Sequence, residues 1–397
     1  MISFSQFLNE EAAAPEGKAL KHLTHLEDLP IHEGHAGVKT AADFLDSVHN
    51  KLIGKKSTTH ISTKYDGAPS IVFGKHPQTG KFFVASKSAF NKTPKINYTP
   101  EDIDANHGHA PGLAEKLKQA LQHLPKVMPD HGGVYQGDLM FGQGDVQSAK
   151  GKHSFTPNTI TYSVDKNGQH GRAISRSKLG VVVHTHYKGR GGLENLSAGP
   201  LSDEDRNRFK NHDDVYNVDP TIKPDSKHYT PTEQSEFQNH KEKARMIYSR
   251  MKPESLDALA GHGTMLEAHV NDMIRKGGEP SVDGYVQHLT NRAEKDVAGV
   301  KTPAAKDKKM RAHSANVEHI LKNREHFEKA LQLHGHLQAA KNVLTRVMAK
   351  ANPFEHTIQG VPTAPEGAVA VNKKGDMTKF VDRQEFSRQN FLKGSFR

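Results

Sequence analysis

The feature that most limits how this chain can fold is an interruption. Strand-like patterning occupies residues 58–187, helical periodicity takes over at 231–350, and strand patterning then returns. An alternating run at 59–73 and further β-prone runs bounded by turn signals predict strands at 58–63, 69–74, 81–86, 133–141, 159–164 and 179–187. Helices are expected at 38–53, with Thr40 as cap and Gly54 as stop, and at 112–123. Residues 190–230, rich in Gly, Asn, Asp and Pro, read as loop. Four helical segments follow, at 231–251, 254–276, 281–296 and 306–350. Past Asn352-Pro353, strands are expected at 367–371 and 378–382. The simplest architecture is one α/β domain with a helical insertion before its closing strands.

Composition narrows the class of function. The chain has 397 residues and 34% hydrophobic content, enough for a lean core. With no cysteine it can have no disulfide framework, thiolate metal site or cysteine nucleophile. No apolar run approaches the roughly 18 residues needed to span a membrane. A formal charge of +10 favours an anionic partner such as nucleic acid or nucleotide phosphates. The chain has 27 histidines, and His107/His109, His184/His186 and His334/His336 have metal-pair spacing. No H-E-x-x-H motif accompanies them, and solvated or hydrogen-bonded histidines are the expected reading.

The alternating run Thr59–Phe73 contains Lys64-Tyr-Asp-Gly67, a lysine at a strand end followed by a turn and a second strand. Asp-Gly alone is a favoured turn pair, so context decides its meaning. In that setting K-x-D-G resembles motif I of the covalent nucleotidyltransferases, the superfamily of ATP-dependent DNA and RNA ligases and mRNA capping enzymes. Further pieces follow in the order of that pattern. Ala85-Ser-Lys87-Ser88 resembles motif Ia, and Tyr135-Gln-Gly-Asp138 resembles motif III with Asp where Glu is usual. Val181–Tyr187, with His184, fits the place of motif IIIa. Glu366-Gly-Ala-Val369 resembles motif IV, and Thr378-Lys379-Phe-Val381 resembles motif V with one lysine instead of two. Lys373 or Lys374 could supply the second charge, and Val282-Asp283-Gly284 is a rival motif IV.

The resemblance implies an α+β, ligase-type nucleotidyltransferase domain of antiparallel sheets with flanking helices and a large helical insertion. It would divide into a core at 17–230, the insertion at 231–352 and closing strands at 353–397. Lys64 would be the catalytic nucleophile, attacking the α-phosphate of ATP to form lysyl-AMP. Asp66, Gly67, Lys87, Asp138, His184, Tyr187 and Lys379 would bind the nucleotide, and Asp138 and Glu366 would hold Mg2+ or Mn2+. An aromatic ring among Tyr135, Phe155 and Tyr187, or the His184 imidazole, would stack on the base.

A free lysine, with a pKa near 10.4, is almost wholly protonated at neutral pH. Neighbouring cations and desolvation are the means by which a protein activates it. The chain ends within 18 residues of Lys379, and the notable expectation is an RNA-ligase-like enzyme lacking a C-terminal OB domain. Its partners would be RNA or DNA ends, with basic Lys306–Arg311 suited to phosphate contact or to a solvated helix face. The alternative is a catalytically inert or differently targeted phage internal head protein of the same fold that binds nucleic acid.

Met1–Ala14 stands apart from the rest. Ile2, Phe4, Phe7 and Leu8 make a short amphipathic pattern that runs into a linker ending near residue 16. It resembles the capsid-targeting tags of large tailed bacteriophages, with Leu8-Asn9-Glu10 matching the prohead protease cut site except for Glu11 where a small residue is usual. That resemblance implies location in the host cytoplasm or packaging in the phage head. A frayed helix packed on the domain is the other reading.

Overall fold

The computed structural model describes residues 23–384 except Pro224 and Pro253. The tag expectation therefore lies outside the described residues. The architecture is mixed helix and sheet, with three sheets that are antiparallel apart from one parallel edge pair.

The first sheet joins β1 (His60–Lys64), β13 (Gly367–Val371) and β14 (Met377–Phe380) in the order β1-β13-β14. The second runs β10 (Val215–Asn217), β8 (Leu179–Lys188), β4 (Val134–Phe141), β2 (Ser70–Lys75), β3 (Phe82–Ala85), with β9 (Ser197–Pro200) also on β8. The third runs β12 (Val361–Pro362), β11 (Glu355–Ile358), β7 (Thr161–Asp165), β6 (Lys152–Phe155), β5 (Gln147–Ala149). The strand pattern thus does resume after the helices, and its first act is to place β13 against β1, more than 300 residues from it in the chain.

The helices are α1 (Leu29–Leu52), α2 (Pro100–His107), α3 (Pro111–His123), α4 (Gln169–Arg176), α5 (Asp203–Asn207), α6 (Pro231–Ser249), α7 (Glu254–Asp257), α8 (Gly263–Lys276), α9 (Val282–Ala298), α10 (Pro303–Lys322) and α11 (Arg324–Ala349). Local chemistry fixes several starts. Thr99 and Thr230 each form a capping box, with Asp102 and Glu233 respectively, and Pro opens both helices. Along α11, Phe327, Ala330, Leu333, Leu337, Ala340, Leu344, Val347 and Met348 recur at helical spacing and are buried.

Four sequence expectations change. The first helix begins at Leu29, not near Thr40, and kinks at Gly34. Tertiary contacts extend it, because Leu29 and Ile31 enter the core and the preceding Glu27 and Asp28 are held by buried cations. The expected helix 306–350 is two helices that turn at Asn323. The expected 254–276 is broken at Gly261, whose φ of 80° no helix tolerates. The expected loop 190–230 contains β9, α5 and β10, and buries Leu201, Phe209, Val218 and Ile222. Part of it runs along the free edge of β1, where Thr63 N–H donates to Pro220 O at 2.7 Å and Ile222 N–H to Ile61 O at 3.0 Å. A covered edge is protected from pairing with another chain.

The helical block does not stand apart from the sheets. One apolar cluster contains Phe44 and Val48 of α1, Phe237 of α6, Leu337 and Leu344 of α11, and Ile61, Ala368, Ala370 and Phe380 of the first sheet. A second cluster packs one face of the second sheet, through Ile71, Tyr135 and Val181, on Leu117 and Ala120 of α3. No helix among the described residues is long and apolar enough to cross a membrane.

Candidate active site

Lys64 is the last residue of β1 and pairs with Gly367, the first of β13. Its Nζ donates to Glu366 Oε1 in an ion pair, with both side chains about 10% exposed. Gly367 has φ 140°, and a Cβ there would sit 2.3 Å from Phe380 O. Glycine therefore lets β13 close onto β14 directly beside Glu366. Across that pair Val369 faces Lys379, whose ammonium is buried next to Lys64 and Glu366.

The electrostatics of this trio are unusual. Burial pushes the Glu366 carboxyl up to about 7; attraction to Lys64 only partly offsets this, and Asp66 adds to the rise. Burial also brings the Lys379 ammonium down to about 8, helped by repulsion from Lys64 and opposed by Glu366. Glu366 Oε2 is buried and has no hydrogen-bond partner.

The turn after Lys64 carries the chain to the second sheet. Asp66 is committed to that turn: its carboxylate accepts from Asn158 Nδ2 at 2.8 Å and from the Thr159 and Ile160 amides at 2.9 and 3.3 Å. Its own amide donates to the Tyr162 hydroxyl at 2.7 Å. A Cβ on Gly67 would lie 2.7 Å from Asp138 Cβ, so only glycine allows the turn to rest on β4. The Ala68 amide donates to Leu139 O and the Leu139 amide to Pro69 O, at 2.9 and 3.0 Å. Lys64 and Asp138 are thereby held on adjoining structures by one short segment.

On the second sheet Ser70, Asp138 and Val182 lie side by side on one face. Ala85 faces Val72, so Lys87, two residues on and half-buried, leaves β3 level with Ser70 and Asp138. His184 is the extra residue of a β-bulge, since Thr185 faces Gln136 and Val183 faces Gly137. Its Nε2 is 3.5 Å from Asp138 Oδ2, and its side chain is 38% exposed. Asp138 Oδ1 is buried without a partner.

The bulge also settles the H-x-H spacing. His184 points to Asp138, whereas His186 is on the other face, stacked on Tyr135 at 4.7 Å and bonded to Asp205 at 3.1 Å. His334 pairs with Asp28 at 2.9 Å, while His336 meets His240. No cluster of three or more His, Asp or Glu placed to hold a metal occurs among the described residues. Asp138 and Glu366 nevertheless suit Mg2+ or Mn2+, since each offers an unpartnered carboxylate oxygen. Magnesium is commonly held by one or two carboxylates together with substrate phosphate and water.

Several expected residues lie elsewhere. Tyr187 is packed under Phe90, with ring centroids 4.7 Å apart, and its hydroxyl donates to Gln136 at 2.6 Å. Its ring is a core element and not a face open to a base. Tyr135 and Phe155 are likewise buried in the cores on either side of β4. Of the four stacking candidates, His184 alone has an accessible ring. Lys373 and Lys374 are exposed in the β13–β14 hairpin, at the end of β13 remote from Glu366. Asp283 is exposed at the start of α9 and forms a fork with Arg324, at 2.7 Å to each oxygen.

Sequence reasoning missed the neighbours behind Lys379. The Lys379 amide donates to Thr24 O at 3.0 Å, and His25 bridges to Lys379. Beside them Glu27 and Asp28 are fully buried against Lys341, Arg383 and His334. The one signal in the sequence is the His- and Gly-rich stretch at 22–37, ahead of the expected helix 38–53, which no local pattern explains. No curated protein and no solved structure matches the chain. Residues 20–394, which include every residue of the site, match a family of unknown function, DUF6267, and the chain belongs to that family.

Proposed function

We propose that this protein is an ATP-dependent polynucleotide ligase, RNA-ligase-like, built on a ligase-type nucleotidyltransferase fold and acting through lysyl-AMP on Lys64. The observation that carries the reading is the meeting of Lys64 and Glu366, 302 residues apart in the chain, with Lys379 buried beside them. In the first step Lys64 loses its ammonium proton to water and Nζ attacks the α-phosphorus of ATP. The N–P bond forms, the bond to the bridging oxygen breaks, and pyrophosphate leaves. Lys379, held down to about 8, is still largely charged at neutral pH and stands ready for the phosphate charge. Lys87 approaches from the end of β3, and the His184 ring offers a stacking surface. Asp138 Oδ1 and Glu366 Oε2 would hold Mg2+ or Mn2+, which supplies neutralisation of the triphosphate charge. AMP then passes to a 5′-phosphate end, and a 3′-hydroxyl displaces it to seal the strand.

The test is incubation with α-labelled ATP and Mg2+ or Mn2+, followed by denaturing electrophoresis. A covalent adduct on the wild-type chain, absent from Lys64→Ala, is expected. If no nucleotide labels the protein while a control ligase is labelled, the enzyme reading is wrong. The inert nucleic-acid-binding alternative would then stand.

A further inference from the structure

The helical block contains one element that nothing in the nucleotide site uses. Between Leu289 of α9 and Ile320 of α10, both buried, no residue of 290–319 is buried. The distal parts of α9 and α10 cover each other along a half-buried seam of Ala293, Val297, Ala305, His313 and Val317. Thr290 Oγ1 lies 3.4 Å from His313 Nε2 across it. From Leu289 to the end of α9 at Ala298 a helix advances about 14 Å. This is an arm projecting from the body, and it contributes nothing to the core.

Its charges set it apart. Lys301, Lys306, Lys308, Lys309 and Arg311 lie beyond α9 with one carboxylate, Asp307, and the end of α9 beside them adds Arg292 and Lys295 against Glu294 and Asp296, so cations stay in excess. Among the described residues no ion pair involves any side chain of 290–319. Elsewhere in the helical block several cations do meet carboxylates: Lys241 with Asp46, Arg346 with Glu236, Lys350 with Glu233. Clustered cations repel one another, and a helical tip that keeps five of them unmatched is arranged for an external polyanion.

We propose that the α9–α10 hairpin is an arm that grips the phosphodiester backbone of a polynucleotide through these five cations. It rests on the ligase reading for the identity of the polyanion. Contacts of this kind give affinity without sequence preference and a steep salt dependence.

The test is fluorescence anisotropy of the full chain with labelled single-stranded RNA and the matching duplex, across a salt series. The substitutions Lys306→Gln, Lys308→Gln, Lys309→Gln and Arg311→Gln are combined in one variant. Affinity is expected to fall about tenfold or more near 0.1 M salt, and the log–log salt slope to drop by about 3. Replacing the three lysines by arginine should retain both, which separates lost charge from lost folding. Labelling of Lys64 by ATP should be unchanged in every variant. Unchanged affinity and slope would overturn the arm. So would loss of binding to anionic vesicles with nucleic-acid binding intact, because that result assigns the tip to a membrane surface. A reduced slope in a protein that never forms an adduct would uphold the arm and discard the ligase.

Discussion

Two buried charge clusters flank β14, and they behave in opposite ways. On one side Glu27 and Asp28 face Lys341, Arg383 and His334. Burial pushes both carboxyls up, but Lys341 and Arg383 outweigh it at Glu27, and Arg383 and His334 do so at Asp28. Both stay below the usual carboxylate range. On the other side burial wins: Glu366 rises to about 7 with only Lys64 in contact, and Lys379 falls to about 8. The first cluster matches its charges with geometry and ties the N-terminal turn, α11 and the segment after β14 together. The second leaves Glu366 Oε2 without a hydrogen-bond partner and the buried Lys379 ammonium beside a second cation, Lys64. Strongly perturbed groups of this kind cluster at functional sites.

The comparison predicts that the two clusters fail differently. The largest effect is expected for Lys64→Ala, which should abolish nucleotide labelling while the protein remains folded by circular dichroism. Next is Arg383→Met, which strands two buried carboxylates. Urea unfolding should show a loss of about 3–5 kcal/mol, the usual result of removing one partner from a buried pair. If Arg383→Met proved neutral and Lys64→Ala unfolded the chain, the roles of the clusters would be reversed.

Gly67→Ala sits between these cases. The added methyl meets Asp138 Cβ, so the turn must shift; overpacking of this kind costs about 1–3 kcal/mol. Labelling should fall far more than stability does, because the shift separates Lys64 from Asp138. Equal losses would make Gly67 a packing residue only.

Glu366 sharpens the contrast through pH. Its folded pKa, about 7, lies above the ordinary carboxylate value, so between about 4.5 and 7 the folded state binds more protons than the unfolded one. Stability is therefore highest below that window and falls as pH rises through it, by on the order of 3 kcal/mol. Glu366→Gln should remove this component, visible as a flatter dependence of the urea midpoint on pH. The lowered carboxyls of Glu27 and Asp28 act in the opposite sense: their stabilisation is lost as pH falls. The smallest effect is expected for Asp283→Ala. Its exposed fork with Arg324 is remote from Lys64, and both labelling and the urea midpoint should stay unchanged.

Much of this was readable from local pattern. Alternation at 59–73 located β1 and β2, a β-prone run at 133–141 located β4, which is buried throughout, and apolar spacing located α6 and α11. Lys64, Glu366 and Lys379 could be singled out only because the segments around them resemble nucleotidyltransferase motifs I, IV and V in the right order. The loop reading of 190–230 failed for a physical reason. Its short strands owe their existence to the β8 edge and the β1 edge, not to their own propensity.

Sequence by itself determined the periodicities, the excess of cations and the residue types able to carry phosphate chemistry. Tertiary structure alone decided which of them meet. The β1–β13 register brought Glu366 to Lys64; the bulge at His184 turned one ring of an H-x-H pair to Asp138 and the other away. Packing took Tyr187 from a candidate base stacker to a core residue. It also buried Glu27 and Asp28 against cations more than 300 residues away. Local sequence encodes period and propensity, whereas burial, register and charge pairing depend on chain segments that are distant until the fold closes.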